Sequence, residues 1–301
     1  MSWELHQRIR ELSDAGEQDA ALALIEASRP ELAEIKSYVA CLEANCHARK
    51  GDAARGLQIL TEVVRGGTDN FWVYYAIAEL YRNTGSLDQA IEANRIAHAL
   101  QGWSESGKKG YIVTHDFFSP NIPNWSRWFA GLITQAPIRC LEIGSWQGTA
   151  TLWLLDKVVA PRGGLVTTID TFEGSSEHQP WLHTLGRRLE DFFDDNVARS
   201  GHAGLCRKLV GRSADVLLCL YDQTYDFVYV DGAHEAKFVI QDALLSWRIL
   251  RPGGFLVFDD VDQRLPAPEQ NTGTAINAFT TWFADELEIV ECERQMLLRK
   301  R

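Results

Sequence analysis

The stretch Leu141-Glu142-Ile143-Gly144-Ser145-Trp146-Gln147-Gly148-Thr149-Ala150 decides how the rest of this 301-residue chain is read. An apolar run ends beside an acid, two glycines follow four positions apart, and helix-forming residues resume at once. A strand-to-helix turn of this kind needs glycine so that backbone amides can approach a ligand closely and φ can turn positive. A second apolar run, Leu165–Ile169, ends in Asp170, 26 residues after Gly144 and placed to accept hydrogen bonds from ribose hydroxyls. Glycines after strand one and an acid ending strand two describe a nucleotide site; the bland alternative is a tight turn with a chance acid. The dinucleotide spacing G-x-G-x-x-G is absent, because Trp146 and Thr149 stand at its second and third glycine positions.

Downstream, short apolar runs alternate with amphipathic helical stretches, which implies a mostly parallel sheet covered on both faces. The expected strands are Ile138–Ile143, Leu165–Ile169, Cys206–Val210, Asp226–Val230 and Phe255–Phe258. Helices are expected over Thr149–Val159, Arg187–Ala198, Lys237–Leu250 and Thr274–Phe283, with Arg251-Pro252-Gly253-Gly254 turning into the fifth strand. Two last runs, Leu287–Glu291 and Gln295–Arg299, are too close for a crossover helix and must pair antiparallel. The expected fold is therefore α/β, a Rossmann-like seven-stranded sheet closed by a C-terminal antiparallel hairpin.

Upstream the pattern is helical and repeats. Gly16, Gly51 and Gly85 are spaced by 35 and 34 residues, and each is followed five positions on by Ala21, Gly56 or Ala90. A glycine that stops one helix and a small residue where the next crosses closely suit a packed helical hairpin. These units resemble the tetratricopeptide repeat; Tyr74, Ala78, Tyr81, Gly85, Ala90 and Ala97 of the third carry the resemblance best. Residues 1–100 are thus expected to form an all-α repeat domain, 101–115 a linker and 116–301 the sheet domain. The repeats either stack on the sheet domain or engage a protein partner or a second copy.

LEIGSWQGTATLWLL, YDFVYVDGAH and LLSWRILRPGGFLVFDD, within Phe117–Arg301, resemble class I S-adenosylmethionine-dependent methyltransferases. The resemblance is to the branch called methyltransferase family 24, related to catechol-type and macrolide-sugar O-methyltransferases. It implies that Glu142, Gly144, Ser145 and Gly148 shape the site for the methionine part, with Asp170 and Thr171 at the ribose. Gly211-Arg212-Ser213 would lie by the adenine, although the commoner triplet of the branch is Gly-Asp-Ser, and Asp231 would sit near the methyl donor.

Asp231 ends the fourth strand, and Asp259 and Asp260 end the fifth. Neighbouring strands lie about 5 Å apart, so these acids converge at the carboxyl edge, where open α/β sheets bind ligands. Clustered carboxylates need an offsetting charge, and hard oxygen ligands suit Mg²⁺ or Ca²⁺ better than zinc. The resemblance agrees: related enzymes hold a divalent metal with one acid after strand four and two adjacent ones after strand five. His234 matches the catalytic histidine of some sugar O-methyltransferases and would take the acceptor's hydroxyl proton. The alternatives are an Asp231 that serves without metal, an Asp259–Asp260 pair that caps its loop, and a structural His234.

Three loops could choose the substrate. Thr171–His183 is long for its place and carries His178, Trp181 and His183; His115–Trp125 precedes the first helix of the sheet domain; Asp262–Gly273 follows the acid pair. Asn196 recurs in relatives, though helix capping would explain it equally well.

Composition bounds the partners. The formal charge of −11 splits as −5 over residues 1–100 and −6 over the remainder, so no part presents the basic surface that nucleic acid requires. No apolar run approaches a membrane span, and the N-terminal residues are too polar for a signal peptide. Six scattered cysteines read as reduced thiols in a cytoplasmic protein. The expected activity is metal-assisted methylation of a small hydroxylated acceptor, a sugar or natural-product precursor. A protein-directed methyltransferase recruited by the repeats and a non-catalytic interaction protein are the competing classes.

Overall fold

The computed structural model describes residues 2–175, 178–221, 224–262, 267 and 270–301, with the side chains of Pro180 and Trp181 also left aside. It divides into two compact units, Met1–Ser119 and Pro120–Arg301.

In the first unit, helices α1 (Ser2–Asp14), α2 (Gln18–Ala27), α3 (Lys36–Arg49), α4 (Ala53–Arg65), α5 (Phe71–Asn83) and α6 (Leu87–Leu100) form three hairpins. Each hairpin turns on one of the three periodic glycines, at φ of +83°, +87° and +77°. At each, the amide after the glycine reaches back to the carbonyl five residues earlier: Glu17 to Leu12, Asp52 to His47, Ser86 to Tyr81. The small residue five positions on is needed where the partner helix crosses, since a Cβ on Gly56 would lie 2.7 Å from the Ala44 carbonyl oxygen.

The segment read as a linker is packed, and it belongs to this unit. Gly102 closes α6 with the same turn, Trp103 N–H donating to His98 O at 2.9 Å. Trp103, Ser106 and Tyr111 are fully buried. His98 lies between Ser106 Oγ (2.7 Å) and Asp116 Oδ2 (2.8 Å), and Asp116 Oδ1 accepts the amides of Phe118 and Ser119. The unit boundary therefore falls after Ser119, where the hydrogen bonding of this tail ends, and two aromatic rings outweigh the small polar residues around them.

The second unit is a doubly wound sheet. Among the described residues its strands are β1 (Ile138–Ile143), β2 (Gly164–Asp170), β3 (Cys206–Val210), β4 (Tyr225–Val230), β5 (Leu250–Phe258), β6 (Leu287–Cys292) and β7 (Met296–Lys300). Their order is β3-β2-β1-β4-β5-β7-β6. The first five run parallel, and β7 inserts antiparallel between β5 and β6, as the short gap between the last two apolar runs requires. This is the Rossmann-like methyltransferase arrangement expected from the sequence.

Strand β5 starts at Leu250 because the Pro-Gly-Gly stretch stays in the strand, across a register shift against β4. A helix over Ser213–Leu218, too short to show periodicity, joins β3 to β4. The helix Ile122–Gly131 buries Trp125 against Phe227 (5.2 Å between centroids) and Tyr229 (4.9 Å), so this aromatic serves the core. No helix among the described residues is long and apolar enough to cross a membrane.

Candidate active site

Apart from His115–Trp125, the chemistry singled out in the sequence sits at the carboxyl ends of β1 to β5 or in the loops that follow. The strands continue there as single hydrogen bonds: Gly144 N–H to Ile169 O (2.9 Å), Asp231 N–H to Ile143 O (2.8 Å) and Gly211 N–H to Asp170 O (2.9 Å). Gly144 has φ +87°, and a Cβ on it would meet the Asp231 carbonyl oxygen at 1.8 Å. Gly148, at φ +91°, opens the helix Thr149–Leu154, and a Cβ there would press on the Phe193 ring at 3.0 Å.

Asp170 organises the turn from below. Its Oδ2 accepts the amides of Ser145 (2.6 Å) and Trp146 (2.9 Å), and its Oδ1 accepts that of Phe172 (2.7 Å). A carboxylate offers about four acceptor positions, so capacity for a further hydroxyl remains. Ser145 Oγ also bonds Thr168 Oγ1. Thr171 follows directly, and its Oγ1 accepts the Glu173 amide. Asn196, mid-helix and fully buried, donates Nδ2 to Gln147 O at 2.9 Å, holding the turn from the other side. It ties down the glycine turn, where helix capping was the alternative weighed from sequence.

Glu142 ends β1 underneath, fully buried, with Thr151 Oγ1 donating to it. Burial pushes its carboxyl up to about 7, against the hydrogen bonds of Thr151 and Thr168. Beyond β3, Gly211 takes φ +151°, and Ser213 starts the short helix. Ser213 faces Asp242, which sequence reasoning passed over because it lies inside a helix. Burial raises the Asp242 carboxyl to about 6, opposed by the Ser213 hydrogen bond.

Three non-glycine residues have positive φ among the described residues: Trp146 (+53°), Phe172 (+56°) and Asp260 (+51°). Each follows a different strand, β1, β2 or β5, at the carboxyl edge. Left-handed backbone in bulky residues costs about 1–3 kcal/mol each and persists only where the surroundings impose it.

The acids converge, but with a different membership from the one expected. Carboxylate oxygens of Asp231 and Asp260 and a ring nitrogen of His234 all lie within 4.8 Å of one another. His234 Nε2 is 3.1 Å from Asp260 Oδ2, and the His234 carbonyl is anchored by Thr272 Oγ1 at 3.0 Å. Asp259 stands apart from this group. Its Oδ2 lies 2.6 Å from Tyr229 Oη and its Oδ1 accepts the Asp260 amide at 2.9 Å.

Tyr229 Oη is also 2.9 Å from Asp231 Oδ2. The phenol has one hydrogen for two acids, so both contacts are hydrogen bonds only when one carboxyl carries a proton. Burial, and then the charges of Asp259 and Asp260, push the Asp231 carboxyl well above the usual range. Burial, Asp259 and Asp262 raise that of Asp260 despite His234 and Arg294 beside it. Two carboxylates with an imidazole are a workable donor set for Mg²⁺ or Mn²⁺.

Of the rim loops, His178 rests on the Trp146 ring at 4.5 Å and bonds Ser175 Oγ at 2.8 Å, while His183 is exposed. The Trp181 side chain and most of 263–269 lie outside what is described.

Residues 141–261 match the family model described as "Methyltransferase domain". This segment is similar to that family. The chain is 33% identical over 119 residues to a Mycobacterium sp. (strain JLS) protein named "Putative O-methyltransferase", covering 39% of this chain and 46% of that protein. A Mycolicibacterium vanbaalenii protein of the same name is also 33% identical over 119 residues, covering 39% of this chain and 44% of its own length. The chain thus spans a little under half the length of the curated relatives it matches.

Among solved structures, the O-methyltransferase from Bacillus cereus in complex with S-adenosylhomocysteine aligns with a TM-score of 0.44 at 18% identity, over 64% of this chain and 86% of that one. MycE methyltransferase of mycinamycin biosynthesis, in complex with Mg, S-adenosylhomocysteine and mycinamycin VI, aligns with a TM-score of 0.42 at 18% identity, over 71% and 61%.

Proposed function

We propose that the chain is an S-adenosylmethionine-dependent O-methyltransferase that uses a divalent cation and takes a small hydroxylated acceptor, a sugar or natural-product precursor. One observation carries the reading. The glycine that shapes the nucleotide turn, Gly144, is packed directly on the backbone of Asp231, so the cradle and the acid–histidine group share a wall.

When bound, S-adenosylmethionine supplies an electrophilic methyl on sulfonium sulfur, and the cation supplies charge that favours the acceptor's deprotonated oxygen. Gly144 and Gly148 leave both ends of the turn without side chains, so its amides can approach the amino-acid part of the nucleoside. Asp170, already fixing that turn, accepts from the ribose, and Thr171 stands next to it. Gly211 and Ser213 border the adenine position. Asp231, His234 and Asp260 hold the cation and fix the acceptor oxygen in place, which lowers the barrier through orientation.

A second reading has a specific observation behind it. The 3.1 Å contact of His234 Nε2 with Asp260 is also that of a histidine oriented by a carboxylate to act as the base for the hydroxyl proton without metal.

The test is calorimetry of the purified chain with S-adenosylmethionine and S-adenosylhomocysteine, followed by turnover on hydroxylated acceptors with and without EDTA. Micromolar binding and a loss of turnover in EDTA that Mg²⁺ restores are expected. Full turnover in EDTA, abolished by His234→Ala, establishes the second reading. No binding of either nucleoside overturns both.

A further inference from the structure

Asp242 is placed badly for stability. It lies in the middle of the helix Ala236–Ile249 and is only 2% exposed. Among the described residues no cation supports its charge; Ser213 does so through a hydrogen bond. Its Oδ1 is buried without a hydrogen-bond partner. A buried carboxyl in that condition is costly, and an apolar residue would suit the helix better. What Asp242 touches lies at the candidate site. Its Oδ2 is 3.4 Å from where a Cβ on Gly232 would stand, against the backbone next to Asp231. Ser213 opens the short helix after β3 and is half-buried, so part of its surface stays open. Asp242 thus joins the turn after β3 to the turn after β4.

The direction of the hydrogen bond decides what Ser213 offers a ligand. Burial raises the Asp242 carboxyl to about 6, so at pH 8 it is mostly ionised. An ionised carboxyl only accepts, and the shared hydrogen must come from Ser213. A serine hydroxyl has one hydrogen and two lone pairs. With the hydrogen spent on Asp242, Ser213 Oγ presents lone pairs alone.

We infer that Asp242 is a positioning residue that makes the Ser213 hydroxyl a pure acceptor, one that takes the 6-amino group of an adenine ring and disfavours a 6-oxo purine. This rests on the nucleoside reading above, which sets Ser213 beside the adenine. An amino group donates to such an oxygen. A carbonyl in its place sets lone pair against lone pair and leaves both oxygens unpaired. Without Asp242 the hydroxyl is free to rotate and serves either purine.

The experiment is calorimetry of the full chain at pH 8 with S-adenosylhomocysteine and with S-inosylhomocysteine, which carries oxygen in place of the 6-amino group. The wild type is expected to bind the adenosyl ligand about tenfold more tightly. Asp242→Ala brings the two affinities to within about threefold, chiefly by strengthening the inosyl ligand, a gain that damage to the fold would not produce. Ser213→Ala narrows the ratio by weakening the adenosyl ligand instead. The double variant behaves as Ser213→Ala, because Asp242 acts only through Ser213. Asp242→Leu, which fills the space without an acceptor, stands in should Asp242→Ala fail to fold. Equal affinities in the wild type, or an unchanged ratio in the Asp242 variant, overturn the assignment. A wild type that binds neither ligand overturns the nucleoside reading itself.

Discussion

Gly144 and Asp231 are packed backbone to backbone: the Cβ that Gly144 lacks would lie 1.8 Å from the Asp231 carbonyl oxygen. No side chain fits there, and the residue also holds φ +87°. Gly144→Ala must push the β1 turn away from the end of β4. The expected result is no detectable S-adenosylhomocysteine binding by calorimetry and a stability loss of roughly 2–4 kcal/mol in urea unfolding. Gly16→Ala is the control: it shares a positive φ but has open space around it, and is expected to cost about 1 kcal/mol with the affinity intact.

Glu142 makes the sheet unit less stable as pH rises. Its folded carboxyl titrates at about 7, above the unfolded value of 4.5, so between these pH values the folded state binds the extra proton. Stability therefore falls from pH 4.5 to 7, by roughly 3 kcal/mol for this group, and is flat on either side. The difference between wild type and Glu142→Gln in urea unfolding should shift by that amount between pH 4 and 8. Asp242, raised to about 6, keeps its own smaller slope in both proteins and cancels in the difference.

Asn196 is expected to matter for the nucleoside although it lies a helix away from it. It bonds the Gln147 carbonyl inside the glycine turn. Asn196→Ala strands that buried oxygen at a cost of about 1–3 kcal/mol and lets the turn shift. Calorimetry should show S-adenosylhomocysteine binding weakened tenfold or more, where a mere helix cap would leave it unchanged.

In the helical unit, His98 and Asp116 form a dry pair at 2.8 Å. Burial works against the Asp116 charge, but His98 and the Ser119 hydrogen bonds outweigh it and hold the carboxyl below its usual range. Its stabilising share is thus present above the unfolded carboxylate pKa and is lost on acidification. His98→Ala leaves the acid unpaired and should cost about 3–5 kcal/mol in urea unfolding at pH 7. Adding Asp116→Asn should recover part of that loss.

The strands were legible because apolar runs of the sheet interior are continuous, and most ends fall within a residue or two of those expected. The periodic glycines announced the hairpins for an equally local reason, the left-handed φ at each turn. What escaped depends on direction. Sequence places Asp259 and Asp260 side by side, but that Asp260 contacts His234 while Asp259 contacts Tyr229 depends on a backbone φ of +51° at Asp260. Tyr229 could have been found, since a tyrosine two positions before a site acid shares its face of a strand. Gln295, whose Nε2 is 3.4 Å from Tyr229 Oη, could not, because it lies 66 residues away in the chain. The tail of the helical unit was hidden by composition, as Trp103 and Tyr111 are two rings among glycines, serines and lysines.

Strand β7 fills the slot between β5 and β6, yet it is synthesised after every other strand. While the chain emerges from the ribosome, the Phe255–Phe258 segment has one bare flank, apolar and ready to pair with a stranger. Gln295 arrives only with that last strand, so its contact with Tyr229 has to wait for it. Until then the β5 edge stays open.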